Sequence, residues 1–214
     1  TTLFTQNPTL ARLNGQALAS PKVKVVNIDA FKWLQDGRGS SDAGPPQGAR
    51  APSGGSEPRA AGSVGAHETF DVIVVDFPDP TNFNIGKLYT NSFYALLDQR
   101  LSASGYAVVQ TTSPLVARQS FWTVVQTIES VGLRATPYHA NVPSFGEWGF
   151  VIASRRPYRL PTALPHDLRF LNLQSLPLLF DFPQDMARMP AEVNRLSNQV
   201  LVHTYETEWG RVTH

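Results

Sequence analysis

No cysteine occurs among the 214 residues, which removes a disulfide framework, a cysteine-ligated zinc site and a thiol nucleophile together. Neither sign of charge dominates: 18 Lys and Arg stand against 17 Asp and Glu, a formal net charge of +1. Nucleic-acid-binding modules carry a clear basic excess, so no nucleic-acid partner is expected. Apolar runs stop at about five residues, against the roughly 20 that a membrane-spanning helix needs. No basic segment leads into an apolar one at the start, so no signal peptide is read. Methionine is scarce, with only Met186 and Met189, and the chain opens on Thr1. A piece of a longer protein is the expectation. The remaining composition, 42% hydrophobic and 16% charged, is that of an ordinary globular chain.

Apolar residues are also nearly missing from one internal stretch. From Gly37 to Ala66, Gly, Ala, Ser and Pro fill 23 of 30 positions, and Val64 is the one larger aliphatic residue. Such a segment cannot bury enough apolar surface to offset its ordering entropy. A flexible insert over 37–68 is read, a surface loop rather than a site. Its glycines, Gly37, Gly39, Gly54 and Gly55, are therefore not taken for a phosphate-binding loop.

Outside the insert the pattern is α/β. Lys22 to Asp29 reads as a strand ending in a carboxylate. Phe70 to Asp76 is a β-branched apolar run, the pattern of a parallel strand covered on both faces. Apolar spacing predicts a helix over 87–101, ended by Ser104-Gly105, and then a strand over 106–110. A second helix is predicted over 119–131, closed by Gly132. Strands over 134–140 and 148–154 follow, joined by a turn containing Pro and Gly. This order suits a Rossmann-like, methyltransferase-type sheet that is incomplete and finished by an antiparallel strand pair. Residues 1–156 are read as the C-terminal part of such a domain. Residues 157–214 form an extension packed on the body: an irregular, proline-rich arm, a short helix over 190–202 with Pro190 in its first turn, and a loosely alternating, strand-like end over 200–209.

Open α/β sheets bind ligands outside the carboxyl ends of their strands. Asp29, Asp76 and Gln110 all fall at such ends. Asp76-Phe77-Pro78-Asp79-Pro80 places two carboxylates three residues apart in a loop stiffened by two prolines. A cationic amine is the natural partner for that pair: one acid holds a distant ammonium while the other takes a proton from the reacting nitrogen. A structural alternative stands beside it, with Asp79 capping a turn and Asp76 filling a strand end. Asp29 could accept from a nucleoside, or could cap a helix over 30–35. Phe145-Gly146-Glu147-Trp148 sets aromatic residues in a turn that could wall a pocket. No histidine pair has metal-ligand spacing, His139 suits packing or hydrogen bonding better than base chemistry, and no G-x-S-x-G elbow is present. Phe93, Tyr94 and Trp122 read as core.

These residues carry a resemblance. Asp71-Val-Ile-Val-Val-Asp76-x-x-Asp79-Pro80, then Leu88-Tyr89, Phe93-Tyr94, Val109-Gln110, Val142-Pro143-Ser144-Phe145 and Gly149-Phe150 together are similar to the polyamine aminopropyltransferase (spermidine synthase) family. The closer likeness is to its bacterial branch, often fused to an N-terminal membrane region. The resemblance implies transfer of an aminopropyl group from decarboxylated S-adenosylmethionine to a polyamine such as putrescine, releasing methylthioadenosine, without a metal. It implies Asp76 as the base, also bordering the co-substrate, with Asp79 and Gln110 on the amine, Phe145 and Glu147 lining its site, and Asp29 on the adenine. A homodimer is expected from the family, and so is a place at the cytoplasmic face, with a membrane link only through a missing N-terminal region.

Three departures qualify the likeness. Thr81-Asn82 stands where the family has Gly-Pro, and Phe145 where it has a tyrosine. The glycine-rich loop and the acidic end of the next strand, which cradle the nucleoside in such folds, are absent. The isolated chain is therefore expected to bind the donor weakly at best and to turn nothing over. A methyltransferase on the same sheet and a non-catalytic polyamine-binding module are the alternatives.

Overall fold

The structure, a computed structural model, describes residues 7–13, 15–36 and 68–211. The chain divides into two compact units, Thr1–Ala66 and His67–His214. The insert expected over 37–68 lies almost wholly outside the described residues.

The first unit holds α1 (Pro8–Leu13), a single 3-10 turn at Ala17–Ala19 and α2 (Ala30–Asp36). Asp29 starts α2 as a side-chain cap, its Oδ1 accepting from the Lys32 amide at 3.1 Å. The strand expected over Lys22–Asp29 is not formed. A strand is held by ladder bonds to a neighbour, and no ladder includes this segment. Val23, Val25 and Val26 are left 38–43% exposed.

The second unit is built on a four-stranded sheet in the order β1-β2-β4-β3, made of β1 (Phe70–Val75), β2 (Leu101–Gln110), β3 (Arg134–Val142) and β4 (Gly146–Ser154). β1 and β2 are parallel, and β4 runs antiparallel to both β2 and β3. The expected Rossmann-like half-sheet with a terminal antiparallel pair is therefore present. Among the described residues β1 ends the strand order, and it is not covered on both faces, since Val72 and Val74 are 65% and 72% exposed.

A parallel pair requires a crossover connection. It is supplied by α3 (Phe83–Gly86), a 3-10 turn at Lys87–Tyr89 and α4 (Asn91–Arg100). The single helix expected over 87–101 is broken at Thr90, whose backbone is extended and whose hydroxyl caps α4 by accepting from the Phe93 amide. Ser104-Gly105 does not end that helix. Both residues lie inside β2, where the register jumps from Phe70↔Leu101 to Val72↔Tyr106. Gly105 is required there because a Cβ would sit 2.8 Å from the Phe70 carbonyl oxygen.

α5 (Arg118–Glu129) follows β2, and Gly132, at φ 88°, reverses the chain as predicted. Phe121, Trp122, Val124, Val125 and Ile128 of α5 are all buried. A helix buried around most of its circumference needs a cover on both sides. The C-terminal extension supplies the second one. The Trp122 indole donates to the Met186 carbonyl at 3.0 Å, and Arg118 Nε to the Ala187 carbonyl at 2.7 Å.

The end of the chain overturns two expectations. Residues 190–199 form no helix, and α6 (Val200–Gly210) replaces the strand expected over 200–209. Gln199 takes a left-handed backbone, φ 47°, which stops a helix from running through it. Buried Leu201 and Tyr205, spaced four apart, belong to a helical face. Asn194 anchors this end. Its amide nitrogen donates to the Gly86 and Tyr89 carbonyls, and its Oδ1 accepts from the Leu201 amide.

Candidate functional site

β1 and β2 bring their carboxyl ends together. Val75 pairs with Val109 in parallel register, so the next residues, Asp76 and Gln110, stand side by side at the sheet edge. β4 runs the other way, with Gln110 opposite Phe150. The start of β4 and the turn before it, Phe145 to Trp148, therefore reach the same edge.

The loop carrying the acids is held from beneath. Phe77 packs edge-on against Phe93 and Tyr89, with ring centroids 5.4 Å and 6.2 Å apart. The Tyr89 hydroxyl donates toward the Pro78 and Phe77 carbonyls at 3.0 Å and 3.2 Å. Pro80 is buried, whereas Asp76 is exposed and Asp79 half-buried. The result is two carboxylates presented on a backbone that is fixed by a phenol and two rings. Burial, followed by the negative charges of Asp79 and Asp76, pushes the Tyr89 phenol well above its ordinary range. It thus stays a neutral donor.

A second phenol reaches the pair from far along the chain. Tyr205 of α6 is buried and feels the negative charge of Asp79. Burial, then the Asp79 carboxylate, raises the pKa of its phenol. Beyond it, Trp209 lies 5.9 Å from Tyr205 and 6.1 Å from Trp148 between ring centroids, and Trp148 lies 5.3 Å from Phe145. Trp209 Nε1 donates to Thr112 Oγ1 at 3.1 Å, which ties α6 to the segment just after Gln110. Phe145, 60% exposed, forms the open end of this aromatic row.

Two of the residues singled out from the sequence are engaged elsewhere. Glu147 Oε1 lies 2.6 Å from His139 Nδ1, and His139 Nε2 lies 2.7 Å from the Asp181 carbonyl oxygen. A carbonyl only accepts, so Nε2 carries a proton. Glu147 and His139 thereby join the β3–β4 hairpin to the C-terminal arm, and His139 has the hydrogen-bonding role expected of it. Asp29 belongs to the first unit, where its carboxylate caps α2. Among the described residues no group of three or more His, Asp or Glu could hold a metal ion, and no helix is long and apolar enough to cross a membrane.

Residues 62–162 match the model of the spermine/spermidine synthase domain. The chain is 42% identical, over 99% of its length, to the polyamine aminopropyltransferase of Leptospira interrogans serogroup Icterohaemorrhagiae serovar copenhageni. The chain is similar to polyamine aminopropyltransferases over nearly its whole length. Polyamine aminopropyltransferase 2 of Ralstonia nicotianae is 41% identical over 99% of the chain. The chain spans 37% and 36% of the length of these two relatives. A spermidine synthase solved in complex with the transition state analogue AdoDATO aligns with a TM-score of 0.50 at 15% identity, covering 95% of this chain and 57% of that one. It shares the fold.

Sequence reasoning placed Asp29, Asp76 and Gln110 at strand ends along one sheet edge; the structure has Asp76 and Gln110 there, with Asp79 and the Phe145 turn beside them, whereas Asp29 follows no strand. It missed the contribution of Tyr205 and Trp209. Neither lies in a local motif, and the tail was read as packing. Tyr89 was visible in the family pattern, but its hold on the acid loop was not.

Proposed function

We propose that this chain supplies the amine-acceptor side of an aminopropyl transfer from decarboxylated S-adenosylmethionine to a polyamine such as putrescine. The single observation that carries the reading is the Asp76/Asp79 pair, fixed at the sheet edge beside Gln110 and backed by Tyr89. The likeness to polyamine aminopropyltransferases supports it.

The chemistry assigns the parts. An alkylammonium has a pKa of about 10, so its nucleophilic form is scarce at neutral pH. Asp76 accepts a proton from the attacking nitrogen, whose lone pair then bonds the methylene carbon beside the sulfonium. The carbon–sulfur bond breaks with its electrons moving to sulfur, and methylthioadenosine leaves. Asp79 holds the amine as a counter-charge, Gln110 hydrogen-bonds it, and Phe145 with Trp148 borders the alkyl chain. Glu147 acts through His139 by holding the hairpin that presents Phe145. Asp29 is assigned to the adenine of the donor. Much of the acceleration is then orientation of two bound reactants.

The test is turnover by the protein at its native length, followed by mass spectrometry, with putrescine and either decarboxylated or ordinary S-adenosylmethionine. Spermidine and methylthioadenosine are expected from the decarboxylated donor, with loss of both in Asp76→Asn. A methylated amine with S-adenosylhomocysteine would replace the reading by a methyltransferase. Polyamine binding without product from either donor would leave a binding module.

A further inference from the structure

We propose that Tyr89 is a positioning residue that sets amine specificity. Its hydroxyl holds two of the three peptide units between Asp76 and Asp79 and so fixes the spacing of their carboxylates, while Asn194 of the C-terminal extension holds Tyr89. The site then selects amines by the distance between their nitrogens. The inference rests on the acceptor-site reading given above. Tyr89 has no reactant to touch in that reading, and Asn194 lies outside the matched residues, 62–162.

A phenol has one proton to give, and that of Tyr89 is shared between the Pro78 carbonyl at 3.0 Å and the Phe77 carbonyl at 3.2 Å. These carbonyls belong to the Phe77–Pro78 and Pro78–Asp79 peptide units. Each unit is planar, and the proline between them locks φ. Before the turn, Val75 is paired with Val109 in the ladder and the Phe77 ring lies against Phe93. After it, the Thr81 amide donates to the Asp79 carbonyl at 2.7 Å across buried Pro80. The backbone from Asp76 to Asp79 is therefore held at both ends and in the middle, and Tyr89 supplies the middle tie.

Tyr89, 1% exposed, is itself held from behind. Asn194 Nδ2 donates to the Tyr89 carbonyl at 3.1 Å and to the Gly86 carbonyl at 3.3 Å, and the Asn194 carbonyl accepts from the Asn91 amide at 3.0 Å. These bonds bracket Thr90, where the crossover breaks. Asn194 is in turn tied to α5 by its amide, which donates to Thr127 Oγ1 at 2.9 Å, and to α6 by the Leu201 amide on its Oδ1. The chemical consequence is selectivity. A loose loop would let the two carboxylates follow any diamine, whereas a fixed pair matches one separation and leaves a charge of a longer or shorter diamine badly paired.

The experiment compares wild type, Tyr89→Phe and Asn194→Ala at native protein length, with 1,3-diaminopropane, putrescine and cadaverine as probes. Calorimetry reads the affinity for each amine, initial rates read kcat and KM for amine and donor, and thermal unfolding reads stability. Tyr89→Phe keeps the ring and removes the hydroxyl. Its ratio of best to worst amine affinity should fall about fivefold, the weight of one hydrogen bond, with donor KM unchanged. A purely structural role would lower the active fraction for all three amines alike and leave that ratio as in wild type. An unchanged ratio in Tyr89→Phe, or a wild type that binds all three amines equally, overturns the proposal. Asn194→Ala should lower the melting temperature and narrow the same ratio in the folded protein; a wild-type ratio there removes Asn194 from the chain of contacts. If wild type binds selectively but transfers nothing, the reaction assigned above fails, while the affinities still decide the role of Tyr89. If wild type binds none of the three amines, the acceptor-site reading fails and this inference with it.

Discussion

Glu208 caps Ser120 across the tertiary fold: its Oε2 accepts from the Ser120 amide at 2.9 Å and from the Ser120 hydroxyl at 2.6 Å. Its other oxygen accepts from the Gln119 amide at 2.8 Å. The first amides of a helix have no partner within it, and the N-cap of α5 is Ala117, which offers no side-chain acceptor. A carboxylate from α6 fills that gap and complements the positive end of the helix dipole. Glu208→Ala should lower the unfolding free energy by about 1–2 kcal/mol, the usual weight of a lost cap. Urea denaturation reads this directly, and an unshifted midpoint would show that water serves α5 equally well.

The two acids should separate in kinetics. Asp79→Asn keeps the shape of the side chain and removes the counter-charge, so the KM for the amine should rise with kcat less affected. Asp76→Asn removes the proton acceptor, and a positioned base contributes about 10²- to 10⁴-fold, so the loss should fall on kcat. Initial rates over a grid of both substrates decide it. Identical profiles for the two variants would merge the roles assigned to them.

Gly149 is the tightest point between β4 and α5. A Cβ there would lie 2.4 Å and 2.5 Å from atoms of the Phe121 ring and 2.7 Å from the Thr112 carbonyl oxygen. Phe121 is fully buried and cannot swing aside. Gly149→Ala should therefore cost about 1–3 kcal/mol, in the range for overpacking. Thermal unfolding within a degree of wild type would mean that the hairpin shifts without strain.

Alkaline titration provides another check. Tyr89 and Tyr205 both have pKa values raised above the ordinary 10, chiefly by burial and then by the neighbouring acids. In the unfolded chain the same phenols ionise near pH 10. Their contribution to stability is complete below that pH and is lost as pH rises above it toward the folded-state values. Denaturation midpoints between pH 8 and 11.5 should fall steeply above pH 10, and less steeply in Tyr205→Phe. Parallel curves would indicate that Tyr205 ionises in the folded protein as freely as in water.

How much of this was open to sequence reasoning follows from the range of the forces involved. The run ending at Asp76 is legible because β-branched residues, a terminal acid and two prolines act within a few residues of one another. The helix before Gly132 and the hairpin after it are equally local. The break at Thr90 is a local capping signal that apolar spacing alone overlooks. Gly105, read as a terminator, in fact serves the close approach of Phe70, a partner 35 positions earlier.

What the sequence by itself determined is the order of the four sheet strands and the acid pair that follows the first of them, since periodicity and turn chemistry are carried by neighbouring residues. The tertiary structure alone decided three other matters. Residues 22–29 are not a strand, because a strand exists only where a ladder partner runs beside it. Residues 200–210 are a helix, because burying Leu201 and Tyr205 on one face outweighs a loose alternation. Trp209 belongs to Thr112 and His139 to Asp181, because hydrogen bonds between distant segments depend on where the chain has folded, and no spacing along it records them.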